Sequence, residues 1–225
     1  MAIPPIPPYP LPTEGELPQN RVSWQPSADR AALLVHDMQR YFLAPFDRTG
    51  EPAGPLLSNV RALLDTARAA GMPVVYTAQP GDMDRAQRGL LYDFWGQGMS
   101  SAPKDRELVP EIAPTGDDVV LTKWRYSAFH RTGLLDLMER RGRDQLLVAG
   151  VYAHIGCLAS AYDAFANDIQ PFLIADALGD FGPAEHRQAL EHAADRCAAV
   201  LTTHHAVQAL RAGSGREVGE SALLR

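Results

Sequence analysis

Short apolar runs alternate with segments of helical periodicity along most of this chain. Six runs have the length and flanks of buried strands: residues 31–35, 73–77, 118–122, 145–150, 170–175 and 198–203. Helical spacing of apolar residues predicts helices at residues 59–70, 133–141, from the turn at 151–157 to about 167, 183–197, and from 204 onward. Strands that alternate with helices predict a parallel sheet with helices on both faces. The expected fold is α/β, a three-layer α-β-α arrangement with six parallel strands, Rossmann-like.

The segments outside this alternation differ in composition. Residues 1–30 hold eight prolines, so they are expected to lie extended on the surface or across a partner subunit. Residues 44–55 are expected to form a loop, and residues 82–116 a long connection whose large aromatic side chains suggest a function. A loosely attached tail is expected at residues 212–225. Without repeats or linkers, we expect one domain over residues 1–225.

Composition narrows the class of protein. The chain has 225 residues and a formal net charge of -6, which disfavours nucleic acid as a partner. No apolar stretch is long enough for a membrane span, and the proline-rich start does not resemble a signal peptide. The two cysteines lie in apolar segments, as buried free thiols of a cytoplasmic protein do. We therefore expect a cytoplasmic protein without nucleic-acid or membrane partners.

The first predicted strand ends abruptly in two polar residues, His36 and Asp37. In an open α/β sheet the ligand crevice lies at the carboxyl ends of the strands, so Asp37 is expected at that crevice. A carboxylate there has two interpretations. It is either a helix N-cap, for which Asp is a favoured residue, or a titrating group with an altered pKa.

Two other strand ends carry candidate chemistry. Lys123 follows the third strand, and a turn of small residues at 150–157 follows the fourth. Strand ends converge in this architecture, so Lys123 and Asp37 are expected to meet, as a structural ion pair or as an acid–base site. A nearby cation lowers the pKa of an Asp whereas burial raises it, and the sequence leaves the balance open.

Candidate binding residues lie near these strand ends. Arg88 could bind a carboxylate and Gln79 could donate to an oxygen, although a lone loop Arg is commonly solvated. Phe42, Trp95 and Tyr152 either form the wall of an apolar pocket or belong to the ordinary core.

Cys157 has a catalytic and a structural interpretation. A Cys at a helix N-terminus can be reactive, but its apolar neighbours equally fit a small buried residue. Metal binding has little support, because no His lies between His36 and His130 and no HExxH or CxxC motif is present. The glycine motifs of nucleotide sites are also absent, so no cofactor is expected.

Four stretches of the chain resemble the isochorismatase family: residues 34–39 (LVHDMQ), 76–80 (YTAQP), 123–129 (KWRYSAF) and 150–156 (GVYAHIG). The resemblance extends to siderophore-pathway isochorismatases and to the phenazine-pathway hydrolases of 2-amino-2-deoxyisochorismate. In the siderophore enzyme the hydrolase is joined to a carrier-protein domain, but this sequence has no Asp-Ser-Leu-type carrier motif, so no carrier-protein domain is expected. Cysteine hydrolases of the wider superfamily use an Asp, a Lys and a Cys. Asp37 and Lys123 match the first two, but the Cys position falls on Gly156, as it does in isochorismatases.

The resemblance implies roles for these residues. Asp37 would be the general acid that protonates the terminal vinyl carbon of an enolpyruvyl ether, and such an acid needs a raised pKa. Lys123 would hold Asp37 or the substrate, and Gly156 would leave space where the thiol stands in other members. The remaining implied residues would bind the substrate or exclude water from it: Phe42, Gln79, Arg88, Trp95, Tyr126 and Tyr152.

The expected activity is therefore hydrolysis of isochorismate to pyruvate and 2,3-dihydro-2,3-dihydroxybenzoate. The same reaction on 2-amino-2-deoxyisochorismate is an open alternative, and so are a non-catalytic docking module for a synthetase and a cysteine amidohydrolase. The expected partners are a small-molecule substrate and a second copy of the chain in a homodimer.

Overall fold

Six parallel strands form the centre of the fold, as the alternation predicts. The computed structural model describes residues 3–47 and 50–214. The strands are β1 (Ala31–His36), β2 (Val74–Ala78), β3 (Val119–Thr122), β4 (Gln145–Val151), β5 (Gln170–Gly179) and β6 (Ala199–Leu201). They lie in the order β3-β2-β1-β4-β5-β6, and every neighbouring pair is parallel. This order reverses direction between β1 and β4, where α/β sheets bind ligands.

Burial follows each strand's place in the sheet. All residues of β1 and β4 are buried, because these central strands are covered on both faces and carry near-continuous apolar side chains. The edge strand β3 alternates between half-buried and exposed positions. The two most buried strands therefore provide a rigid base for the residues that follow them.

Helices cover both faces of the sheet. In chain order they are α1 (Arg40–Leu43), α2 (Ala53–Ala69), α3 (Arg85–Arg88), α4 (Leu91–Trp95), α5 (Pro103–Arg106), α6 (Leu134–Arg140), α7 (Leu158–Ala166), α8 (Pro183–Arg196) and α9 (Thr203–Ser214). One core packs α2 and α9 against the sheet, and a second packs α6, α7 and α8 against the opposite face. The predicted three-layer α/β fold is confirmed. In the described part of the chain, no helix combines the length and apolar character needed to cross a bilayer.

Three parts of the chain differ most from the prediction. Helix α2 begins at Ala53, inside the predicted loop 44–55, because Pro55 falls in the first turn, where a missing N–H costs no helical bond. Strand β5 continues past residue 175 to Gly179 after a shift of its register against β4. The connection 82–116 is not irregular throughout, since it contains α3, α4, α5 and a short 3-10 helix at Pro110–Ile112.

The proline-rich arm packs on its own chain. Ile6 and Tyr9 are buried in the core shared with α2 and α9, and the Tyr9 hydroxyl accepts a hydrogen bond from the backbone N–H of Asp180 at 2.7 Å. The Asn20 amide bonds both backbone groups of Val200 on the edge strand β6, at 2.9 and 2.7 Å. The predicted tail at 212–225 begins inside α9, and its residues 215–225 lie outside the described part.

Candidate active site

A cleft opens at the carboxyl ends of β1, β2 and β4. It encloses about 620 Å³, part of which is open to solvent. The structure brings all nine predicted site residues to its lining: Asp37, Phe42, Gln79, Arg88, Trp95, Lys123, Tyr126, Tyr152 and Gly156.

Asp37 lies at the base of the cleft, one residue beyond β1, and is 4% exposed. Its φ of 50° is in the left-handed region, which Asp tolerates better than most residues, and the chain turns there out of the strand. The Thr77 hydroxyl accepts from the Asp37 N–H at 3.0 Å and donates to Asp37 Oδ1 at 2.7 Å. Gln79 Nε2 donates to Oδ2 at 3.1 Å. The carboxylate is thus fixed by neighbouring strand ends.

Lys123 is buried beside Asp37, with its Nζ 2.9 Å from Asp37 Oδ2. The same Nζ donates to the backbone carbonyls of Arg125 at 2.6 Å and Tyr126 at 3.2 Å. An ammonium group has three N–H donors, so these three acceptors use its full capacity. Lys123 is therefore arranged to hold Asp37, and it has no spare donor for a ligand.

The electrostatics of this pair favour an ionised Asp37. Burial raises the pKa of the Asp37 carboxyl, but the Lys123 ammonium and the Thr77 hydrogen bond together outweigh it. The net effect holds the pKa of Asp37 below its usual range. The protein's own residues thus shift the pKa of Asp37 in the direction opposite to the raised pKa that a general acid needs.

Arg88 is a second buried cation in the lining of the cleft. Its side chain is 5% exposed, and its Nε donates to the Gly96 carbonyl. Gly98 lies against the guanidinium: a Cβ there would stand 2.5 Å from Cζ, and the φ of 80° also favours glycine. Among the described residues, no carboxylate contributes to the charge environment of Arg88. An anionic ligand group would supply the missing partner.

Aromatic rings form the apolar wall of the cleft. The Tyr152 ring meets Phe181 edge to face at 4.6 Å, and its hydroxyl donates to the Phe42 carbonyl at 2.6 Å. The Trp95 and Phe181 rings pack edge to face with their centroids 6.1 Å apart, and Trp95 Nε1 donates to the Tyr126 hydroxyl at 2.9 Å. The rings belong to four separate segments, so the wall forms only in the folded chain.

Several lining or supporting residues are not among the predicted ones. Phe181 follows β5, and ending that strand at residue 175 hid its place at the sheet edge. Ile3 lines the cleft because the arm packs beside it, a contact without a sequence signal. Thr77 and His36 are the polar residues nearest the ends of β2 and β1, and that position could have revealed them.

Cys157 faces away from the cleft into the core beneath α7 and α8, where it is fully buried. Burial raises the pKa of its thiol well above the ordinary value, so no thiolate is available near neutral pH. Among the described residues, no three His, Cys, Asp or Glu side chains are grouped to hold a metal ion.

Thiol alkylation is expected to leave the native protein unmodified. Cys197 is also buried, and burial raises its pKa to about 11. Iodoacetamide at pH 7.5 should add less than about 0.1 label per chain in an hour by intact mass, whereas urea should expose both thiols. Rapid stoichiometric labelling of Cys157 without denaturant would contradict this interpretation.

The fold and the cleft define a parallel α/β protein with a buried Asp–Lys ion pair at the switch point of its sheet. A family model described as the isochorismatase domain matches residues 31–205, so the chain belongs to the isochorismatase family. The chain is 52% identical over 203 residues to an isochorismatase of Bacillus subtilis (strain 168), spanning 90% of this chain and 65% of that protein. It is 55% identical over 206 residues to phenazine biosynthesis protein PhzD1 of Pseudomonas aeruginosa, spanning 92% and 99%.

Solved structures agree with the fold. A cysteine hydrolase from Pseudomonas syringae pv. phaseolicola 1448A aligns with a TM-score of 0.78 at 25% identity, over 87% of this chain and 98% of that one. An isochorismatase family protein from Burkholderia thailandensis aligns with a TM-score of 0.75 at 22% identity, over 84% and 100%. The family and fold predicted from the four motifs are confirmed.

Proposed function

We propose that this protein hydrolyses the enolpyruvyl ether of isochorismate to pyruvate and 2,3-dihydro-2,3-dihydroxybenzoate. The observation that carries the proposal is a buried Asp37 at the base of an aromatic cleft, held by Lys123, with Arg88 available for a carboxylate. Position 156, where related cysteine hydrolases carry the nucleophile, is a glycine.

Protonated Asp37 acts as the general acid in this reaction. Its proton moves to the terminal CH2 carbon of the vinyl ether, which becomes a methyl group, and the ether carbon becomes an oxocarbenium centre. A water molecule adds to that carbon and loses one proton to Asp37. The hemiketal then breaks its bond to the ring oxygen, which takes the hydroxyl proton, and pyruvate leaves. One water is consumed and no cofactor is needed.

The substrate itself helps to protonate Asp37. The Lys123 ammonium and the Thr77 hydrogen bond by themselves keep the pKa of Asp37 low. The two carboxylates of the bound substrate add negative charge near Asp37, and the substrate also displaces water from the cleft. Both changes raise the pKa of a nearby carboxyl. Binding is therefore coupled to uptake of a proton. Phe42, Trp95 and Tyr152 keep the oxocarbenium centre shielded from bulk water, while Gln79 and Tyr126 contact the polar part of the ligand.

Coupled pyruvate assays test the proposal. Purified protein is mixed with isochorismate, and pyruvate is measured with lactate dehydrogenase and NADH. Absence of pyruvate above the enzyme-free rate would refute the proposal and favour a non-catalytic docking module.

The 55% identity to a phenazine biosynthesis protein supports 2-amino-2-deoxyisochorismate as a second candidate substrate. The specificity constants for the two substrates, measured in parallel, decide between them.

The pH profile is expected to separate the free protein from its complex. With the pKa of Asp37 below its usual range, the protonated fraction falls tenfold per pH unit in the neutral range. Log kcat/KM should then decline with a slope of about -1 between about pH 6 and 8, while kcat changes less because bound substrate raises that pKa. A flat kcat/KM over this range would contradict acid catalysis by Asp37.

Replacing Arg88 by Met is expected to raise KM by about 100-fold, because a buried substrate carboxylate loses its charged partner. The effect on kcat should be smaller, since Arg88 does not contact Asp37. Arg85→Met is the matched control: this residue lies three positions earlier on α3, is exposed and pairs with Asp93 at 3.5 Å. Equal KM values for the two variants would remove Arg88 from the binding role.

We also propose a cytoplasmic homodimer, a state supported by the resemblance to the family. Light scattering coupled to size-exclusion chromatography measures the mass directly, and a single peak at the 24.5 kDa of one chain would refute the dimer.

A further inference from the structure

His36 is the buried imidazole closest to the acid–base pair. It ends β1, is 1% exposed, and immediately precedes Asp37. Its Nδ1 lies 2.8 Å from the Val151 carbonyl oxygen at the end of β4 and 3.9 Å from Asp37 Oδ2. Its Nε2 lies 3.3 Å from the Tyr126 carbonyl oxygen. The ring therefore spans the gap between β1, β4 and the segment after β3.

The same ring fills the space that a side chain at position 156 would need. A Cβ built on Gly156 would stand 2.2 Å from His36 Cε1, 2.8 Å from His36 Nε2 and 3.1 Å from the Tyr126 carbonyl oxygen. Distances under 3.0 Å require one of the two groups to move, and the short buried imidazole has its nitrogens directed at two carbonyls. The space implied by Gly156 is thus occupied by His36 and is not left to the substrate.

His36 also shares a contact with the lysine of the site. The Tyr126 carbonyl that faces His36 Nε2 is one of the three acceptors of Lys123 Nζ. A displacement of the ring would therefore shift both the residue before Asp37 and an acceptor of its Lys123 partner. Positions of reacting groups matter at this scale, because a misplacement of 1 Å can cost about 100-fold in rate.

We propose that His36 is a positioning residue for ether hydrolysis: its imidazole occupies the space that a side chain at position 156 would need, and it fixes Asp37 by anchoring the end of β1 to Val151. The inference rests on the proposed function for its catalytic part only. Its packing part, the mutual exclusion of His36 and a side chain at 156, holds for any activity of the cleft.

The ionisation of His36 agrees with this role. Burial and the Lys123 ammonium lower the pKa of the imidazole, although Asp37 acts in the opposite direction. A neutral ring carries one N–H, and the shorter contact assigns it to Nδ1, which donates to the Val151 carbonyl. The ring is thus an uncharged anchor and leaves the role of acid to Asp37.

A double-mutant cycle on thermal stability, measured without substrate, tests the mutual exclusion of His36 and a side chain at position 156. Gly156→Ala alone should lower Tm by at least about 5 °C, because its methyl group collides with the ring. In the His36→Ala background the same change should cost less than about 2 °C, since the ring is gone. An equal loss of Tm in both backgrounds would overturn the mutual exclusion, whatever the substrate is.

Kinetics test the positioning part. His36→Leu keeps the volume without a donor and should lower kcat by about 100-fold with KM within about threefold, while His36→Asn keeps a donor near Nδ1 and should recover most of kcat. His186→Leu is the control: His186 is also buried, with Nε2 3.0 Å from the Ala175 carbonyl, but lies outside the cleft, so Tm should fall without loss of kcat.

Two kinetic outcomes would overturn the positioning role: a kcat of His36→Leu within threefold of wild type, or equal rates for His36→Leu and His36→Asn. A wild-type protein that releases no pyruvate would refute the proposed function instead, and the stability cycle would still decide the packing of His36 against Gly156.

Discussion

Replacing Asp37 by Asn is expected to lower kcat by about 1,000-fold, the middle of the range for loss of a general acid. The amide has nearly the same shape and can still contact Thr77 and Gln79, so the cleft keeps its form. It has no acidic proton to give to the vinyl carbon. The rate that remains would come from binding and from exclusion of water, which the change leaves in place.

Measurement of this effect needs a control for stability. Asp37→Asn removes the charge that compensates buried Lys123, so some unfolding is expected along with the loss of activity. Asp118→Asn is the matched variant, since Asp118 pairs with Arg68 at 2.5 Å just before β3 begins, at the end of that strand opposite Lys123. It should lose stability and keep kcat. If Asp37→Asn kept more than a tenth of wild-type kcat, Asp37 would not be the acid.

Replacing Lys123 by Met is expected to destabilise the protein by about 3–5 kcal/mol near pH 8, because it leaves the Asp37 carboxylate buried without its cation. Without the ammonium, burial dominates, and the pKa of Asp37 rises above that of the unfolded chain. A raised pKa in the folded state means that the folded form binds more protons than the unfolded one. Stability therefore falls as pH rises from about 4 through the new pKa, and is partly recovered in acid.

Urea unfolding at pH 5 and pH 8 measures this dependence. The Lys123→Met loss should be larger at pH 8, and the declining limb of kcat/KM should move upward by at least about one pH unit. The exposed Lys104→Met variant on α5 should change neither. The double variant Asp37→Asn, Lys123→Met should recover much of the stability and none of the activity. A Lys123→Met loss independent of pH would contradict the coupling.

The meeting of Asp37 and Lys123 could be predicted because it depends only on parallel strands with polar residues at their ends. The left-handed turn at Asp37 and the paired hydrogen bonds with Thr77 could not, since they depend on the register of β1 against β2. The direction of the Asp37 pKa shift was also beyond the sequence. Burial raises this pKa and a nearby cation lowers it. The 2.9 Å distance between Lys123 Nζ and Asp37 Oδ2, which makes the lowering prevail, is known only from the structure.

The sequence predicts which residues line the substrate-binding part of the cleft, but it does not predict how those residues are arranged. Arg88 stood out as a candidate carboxylate partner, but its burial depends on a turn at Gly96 and Gly98 that closes over the guanidinium. Phe181 was missed because the length of β5 depends on a shift in register with β4. Gly156 was identified by resemblance, whereas its neighbour His36 is 120 residues away in sequence, and no local pattern connects the two.

The Asn20 amide on β6 has a consequence for how the molecule meets others. An edge strand exposes unpaired N–H and C=O groups, which can template strand addition and aggregation. By bonding both backbone groups of Val200, the Asn20 side chain occupies the hydrogen-bonding positions that an added strand would use at that residue. The proline-rich arm thereby protects this part of the sheet edge from strand addition. Pro18, two residues before Asn20, has no backbone N–H with which to bond a further chain.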